Sequence, residues 1–110
     1  MHKMNLASAP FIAIAEGRKT VEMRLYDEKR AAICVGDEIE FENIETHQTI
    51  LCKVISFARF QDFFELYANF DKALLGYDVH EVANPEDMYQ YYSPQMVQQY
   101  GVLAIEIKLI

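Results

Sequence analysis

Residues 17–41 read GRKTVEMRLYDEKRAAICVGDEIEF, and their pattern decides the fold. Lys19–Tyr26 alternates as a strand does. One face carries Lys19, Val21, Met23 and Leu25, and the other Thr20, Glu22, Arg24 and Tyr26. Asp27-Glu28-Lys29-Arg30 then makes a turn or a short helical start. Val35-Gly36-Asp37-Glu38 turns the chain into a second strand, Glu38–Phe41, where Ile39 and Phe41 alternate with Glu38 and Glu40. Such alternation marks a half-buried strand.

Working outward, Ser8-Ala9-Pro10 followed by Phe11, Ile14 and Ala15 predicts a short helix. Ser8 is its expected N-cap, and Gly17 its left-handed stop. Downstream, Thr49–Phe57 predicts a strand that pairs with Glu38–Phe41 across a hairpin at Glu42–Gln48. Its mostly apolar residues imply cover on both faces. Phe63, Phe64, Leu66, Tyr67 and Phe70 form a helical stripe within Gln61–Phe70, read as core. Asn84-Pro85-Glu86-Asp87 and Ser93-Pro94-Gln95 each join a capping residue to a proline. They predict two successive helices, the second closed by Gly101. Val102–Ile110 alternates as a final strand. The mixture is α+β: a small β-barrel of five or six strands with three or four short helices packed around it. Partial closure would shelter the strand edges.

The 110 residues are one domain's worth of chain, with no repeat or shift of composition. The uncharged run Leu6–Ala15 falls well short of a membrane span, and Met1–Leu6 lacks the apolar core of a leader. The expectation is a cytoplasmic protein that does not enter membranes. Cys34 and Cys52 share no ligand spacing and read as two buried thiols, with neither a disulfide nor a metal site indicated. His2, His47 and His80 share no spacing and read as surface residues.

The net charge is −7, which opposes sequence-independent binding to duplex DNA or anionic membrane. Its distribution is uneven. Gly17–Arg30 holds five of the ten Lys and Arg residues against only three of the seventeen Asp and Glu. A concentrated cationic site on an acidic body suits a small anionic or polar ligand, or a short single strand. Lys19 heads an apolar row, which places it at a barrel mouth or partly out of water, where a lysine can become a reactive neutral amine. Glu22 and Arg24, two residues apart, can share a ligand or pair with each other. An ordinary strand-edge ion pair with a snorkelling lysine fits the same spacing.

Gly17, Lys19, Glu22 and Arg24 fit the pattern G-x-K-x-x-E-x-R, and Val35, Gly36, Asp37, Ile39 and Phe41 fit V-G-D-x-I-x-F. With P-E-D-M-Y-Q-Y-Y-S-P and Y-G-V-L-A-I-E-I near the end, the chain from about Met4 to Ile110 resembles the ASCH (activating signal cointegrator homology) domain family. That resemblance implies a PUA-like β-barrel with a cleft beside the motif strand, and binding of RNA or nucleotides. One branch is similar to small amidohydrolases that deacetylate N4-acetylcytidine with the motif lysine, a threonine and a later glutamate. Lys19 fits that lysine and Glu86 the later acid. The threonine position holds Glu22, with Thr20 two residues earlier. A further branch looks like metal-dependent ribonucleases, and no carboxylate cluster in this sequence fixes a metal.

Three readings follow. In the first, the chain binds RNA or a modified nucleoside or nucleotide. Lys19, Arg24 and Arg18 meet phosphate or base oxygens, and Glu22 accepts from a base or ribose edge. Tyr89, Tyr91 or Tyr92 stacks on the base, unless those tyrosines only pack a helix. In the second it is a hydrolase of an N4-acylated cytidine or of RNA. Lys19 is then nucleophile or base, Glu86 or Glu22 carries the proton, and Arg24 steadies developing negative charge. In the third it is a protein-interaction domain with a vestigial cleft. No cofactor is implied, and oligomeric state is not encoded in any pattern.

Overall fold

The computed structural model describes residues 1–110. Five strands are present: β1 (His2–Leu6), β2 (Val21–Leu25), β3 (Glu38–Asn43), β4 (Thr49–Phe60) and β5 (Val102–Leu109). Four α-helices join them: α1 (Ser8–Ala15), α2 (Glu28–Ala31), α3 (Phe63–Ala68) and α4 (Pro94–Tyr100). A 3-10 helix spans Pro85–Gln90. The sheet order is β1-β3-β4-β5-β2. Only the β1–β3 pair is parallel, with Met4 opposite Phe41.

The expected α+β architecture is therefore present, as a half-barrel. The curl stops short of closure, because edge strands β1 and β2 share no ladder. Side chains span the gap instead. Arg24 Nη2 donates to the Asn5 carbonyl at 2.8 Å, and Lys29 Nζ donates to the Lys3 carbonyl at 2.9 Å.

The sheet is packed on both sides of β2 and β5. The inner core holds Met4, Leu6, Ile39, Phe41, Cys52, Val54, Leu103 and Ile105, capped by Phe11 and Ile14 of α1. The outer core sets Val21, Met23, Leu25, Val102 and Ala104 against Phe63 and Leu66 of α3, Leu75, Met88 and Val97. Each fully buried aliphatic or aromatic side chain contributes roughly 1.5–3 kcal/mol, so the two cores together hold the curl.

Several elements differ from expectation. β1 is a strand outside the expected elements; its short alternation at Lys3–Leu6 gains order by pairing with β3. Ser8 does not cap α1. Ala7 occupies that position with no side-chain bond, and Ser8 Oγ instead accepts from the buried Asn43 Nδ2 at 3.1 Å. β4 is not covered on both faces, for Lys53, Ile55 and Phe57 are exposed. A bulge between Val54 and Ser56 breaks its alternation. Phe57 thus falls opposite Ile105, and Phe60 falls opposite Val102 beside the outer core. Cys34 is exposed in the turn before β3, while Cys52 is buried. His2 is drawn inward to Asp37 at 2.8 Å, and its side chain is only 17% exposed.

Other expectations hold. Gly17 takes φ +78° after α1. Asn84 Oδ1 caps the 3-10 helix, Ser93 Oγ caps α4, and Gly101 ends it. β3 and β4 form the hairpin. No helix is long and apolar enough to cross a membrane.

Candidate functional site

The motif forms its site by leaving the strand at its first residues. β2 begins only at Val21, so strand alternation does not govern Lys19. The Arg18 and Lys19 N–H groups donate to the Ala13 carbonyl at the end of α1. Those of Thr20 and Val21 both donate to the Leu74 carbonyl at 3.0 Å. The chain is pinned between α1 and the 74–76 loop. Gly76, at φ +104°, lies against the Lys19 stem, and a Cβ there would stand 3.1 Å from Lys19 Cδ. The left-handed backbone and the close approach both call for glycine.

This placement moves Lys19 off the face expected for it. Glu22 and Arg24 stand opposite Ile105 and Leu103, on the inner side of the sheet. Lys19 joins them, with Nζ 3.4 Å from Glu22 Oε1. The same oxygen accepts from the Met23 N–H at 3.0 Å. Glu22 Oε2 accepts from Arg24 Nε at 3.2 Å and Nη2 at 2.9 Å. Lys19 is 8% exposed and Glu22 3%.

Burial opposes the Glu22 charge, but Lys19, Arg24 and the hydrogen bonds outweigh it and hold the carboxyl below its usual range. Burial likewise opposes the Arg24 charge, and Glu22 and Tyr92 more than restore it. Burial, with the Glu22 charge, pushes the Cys52 thiol up to about 11, so Cys52 packs rather than reacts.

Lys19, Glu22 and Arg24 floor a cleft of about 850 Å³ between β2, α1 and the 75–92 segment. That volume suits a small molecule. Arg18 and Arg30 also line it. Arg18 is half exposed and tied to Glu16 at 2.7 Å. Arg30 is tied to Asp27 at 2.8 Å, and its buried Nε has no partner. Tyr91 and Tyr92 line the cleft, whereas Tyr89 does not. Tyr92 stacks on Phe63 with ring centroids 6.1 Å apart, so one of its faces already belongs to the core.

Glu86 is exposed and outside the cleft lining, and its N–H is bonded to the Asn84 cap. Its neighbour Asp87 lines the cleft instead. Sequence reasoning missed Tyr67, Tyr77 and Asp87 as cleft residues. Asp87 was visible only as the last residue of the Asn84-Pro85-Glu86-Asp87 capping signal, and Tyr67 as part of an apolar stripe. No three His, Cys, Asp or Glu side chains gather at metal-binding spacing. A second hollow, near Arg59, Gln61 and Gln98, is shallower and holds none of the motif residues.

A family model described as the ASCH domain matches residues 4–110. The chain belongs to the ASCH domain family. Among solved structures, it is similar to hypothetical protein PH0355 at 31% identity and a TM-score of 0.82, over 98% of this chain and 97% of that one. It is similar to protein PF0455 from Pyrococcus furiosus at 30% identity and a TM-score of 0.68, over 99% and 96%. An ASCH structure from Zymomonas mobilis shares the fold at 14% identity and a TM-score of 0.69, over 96% of this chain and 65% of that one. A search of curated proteins found no match. The half-barrel with its packed helices is thus the α+β, PUA-like ASCH fold.

Proposed function

We propose that this ASCH domain binds RNA or a nucleotide or nucleoside in the motif cleft. The observation that carries this reading is the buried cluster of two cations and one carboxylate, Lys19, Arg24 and Glu22, at the cleft floor. Glu22 neutralises one charge and leaves the floor net cationic. Both of its oxygens are engaged, so in this reading it orients the cations rather than meeting the base. Lys19 and Arg24, with Arg18 at the rim, meet phosphate or carbonyl oxygens. Tyr91, 54% exposed, offers a stacking face. The acidic remainder of the surface repels a long duplex, which favours a short strand or a free nucleotide.

The test is fluorescence anisotropy with a short labelled single-stranded RNA. Affinity is expected to fall as salt rises and to be lost in Lys19→Ala, while the variant's circular dichroism stays native. Equal, weak retention by variant and wild type would overturn the reading.

A hydrolase reading draws on one observation, an amine and a carboxylate buried together in a ligand-sized cleft. Lys19 is its nucleophile or base. Asp87, which lines the cleft where Glu86 does not, is its acid. Incubation at high enzyme concentration with N4-acetylcytidine, and with labelled RNA, decides it. Product lost in Lys19→Ala supports the reading, and no product from either removes it. The interaction-domain reading gains no observation of its own.

A further inference from the structure

A second stretch of the cleft lining, apart from the cationic floor, is polarised in a way that names a class of ligand. Tyr67, Tyr77 and Asp87 all line the cleft and form one chain of hydrogen bonds. Tyr77 Oη lies 2.8 Å from Asp87 Oδ2, 3.3 Å from the Asn84 carbonyl and 2.9 Å from Tyr67 Oη. A phenol has one proton to give. The carboxylate and the carbonyl can only accept, so Tyr77 donates towards them. Tyr67 must then donate to Tyr77. Its proton is spent, and Tyr67 Oη has only lone pairs for anything else that enters. Burial pushes both phenols above their ordinary range, so both keep their protons.

The floor has the opposite character, because Lys19 and Arg24 only donate. A ligand that fits must therefore show acceptors to the floor and an N–H donor to the wall. We infer that Tyr67 and Asp87 form an acceptor-only wall that selects bases carrying an exocyclic amine over bases carrying a carbonyl at the same place. Cytosine and adenine present that amine, whereas uracil presents an oxygen there. An oxygen facing the Tyr67 lone pairs leaves two acceptors unpaired in a partly buried site, which is costly. The inference rests on the nucleotide-binding reading above. It assigns base choice to residues that lie outside the motif.

The experiment is calorimetric titration of the full chain with two isosteric pairs, CMP against UMP and AMP against IMP. In each pair an amine is exchanged for an oxygen. The amino member is expected to bind about tenfold more tightly, the scale of one hydrogen bond gained rather than lost. Tyr67→Phe removes the acceptor and should bring the members of a pair together. Asp87→Asn should narrow or reverse the preference, because an amide can donate to Tyr77 and let the chain of protons turn round. Equal wild-type affinity within each pair overturns the wall. So does a preference that survives intact in both variants, each first shown folded by circular dichroism. Binding of none of the four nucleotides instead overturns the nucleotide-binding reading, and the wall with it.

Discussion

Arg18 and Lys19 are neighbours of like charge, yet their ion pairs sit in different media. Arg18 meets Glu16 at 2.7 Å with both side chains more than half exposed. Lys19 meets Glu22 at the longer distance of 3.4 Å, with side chains 9% and 4% exposed. Distance alone would rank the first pair higher. Surface pairs are screened by water and contribute about 0–1 kcal/mol. A buried charge that loses its partner has no water to replace it. Burial therefore decides which pair matters, and the chain achieves it by pinning Thr20 and Val21 to the Leu74 carbonyl.

The contrast breaks most visibly at Glu22. Glu22→Gln is expected to lower unfolding free energy by about 3–5 kcal/mol, because two cations then share a site with no anion. Urea denaturation checks it, and a loss below about 1 kcal/mol would place Glu22 in the same class as Glu16. The same carboxylate sets a pH signature. Its folded-state pKa lies below the ordinary 4.5, so its contribution is complete above that value and fades as pH falls further. Wild-type stability should decline below about pH 4.5, and Glu22→Gln should lack that part of the decline. Asp37, held low mainly by its hydrogen bond from His2, adds a decline of the same sign that both proteins keep.

A smaller effect is expected at Arg24. Arg24→Lys keeps the charge but gives up the fork that reaches Glu22 and Asn5 together. The expected loss is about 1–3 kcal/mol by the same denaturation, with weaker RNA binding alongside. Smallest of all, Glu16→Gln should change stability by less than about 0.5 kcal/mol. A larger change there would show that proximity, not burial, ranks these pairs.

Much of the fold was legible because local chemistry and tertiary packing agree. The caps at Asn84 and Ser93, the Gly17 stop and the β3–β4 hairpin were all readable from short windows. β1 was not, since the alternation of Lys3, Met4, Asn5 and Leu6 is only two periods long and the strand takes its order from β3. β4 misled because a bulge resets its faces, and bulges leave no clear mark in a run of apolar residues. Within the site, the motif residues were readable and their geometry was not. Strand periodicity sent Lys19 to the wrong face, because backbone bonds to α1 and the 74–76 loop delay the start of the strand by two residues. Asp87 and Glu86 are adjacent exposed acids after one proline, and only the turn of the 3-10 helix sets Asp87, not Glu86, along the cleft lining.

A curl clasped by two side chains breathes differently from a closed cylinder. Each clasp is a single side-chain hydrogen bond to one carbonyl and can open by itself, whereas a strand ladder releases only cooperatively. The line between β1 and β2 is thus the natural crack of the molecule. Arg24 stands on that crack and in the cleft at once, so its bond to the Asn5 carbonyl ties the edge of the half-barrel to the floor of the cleft.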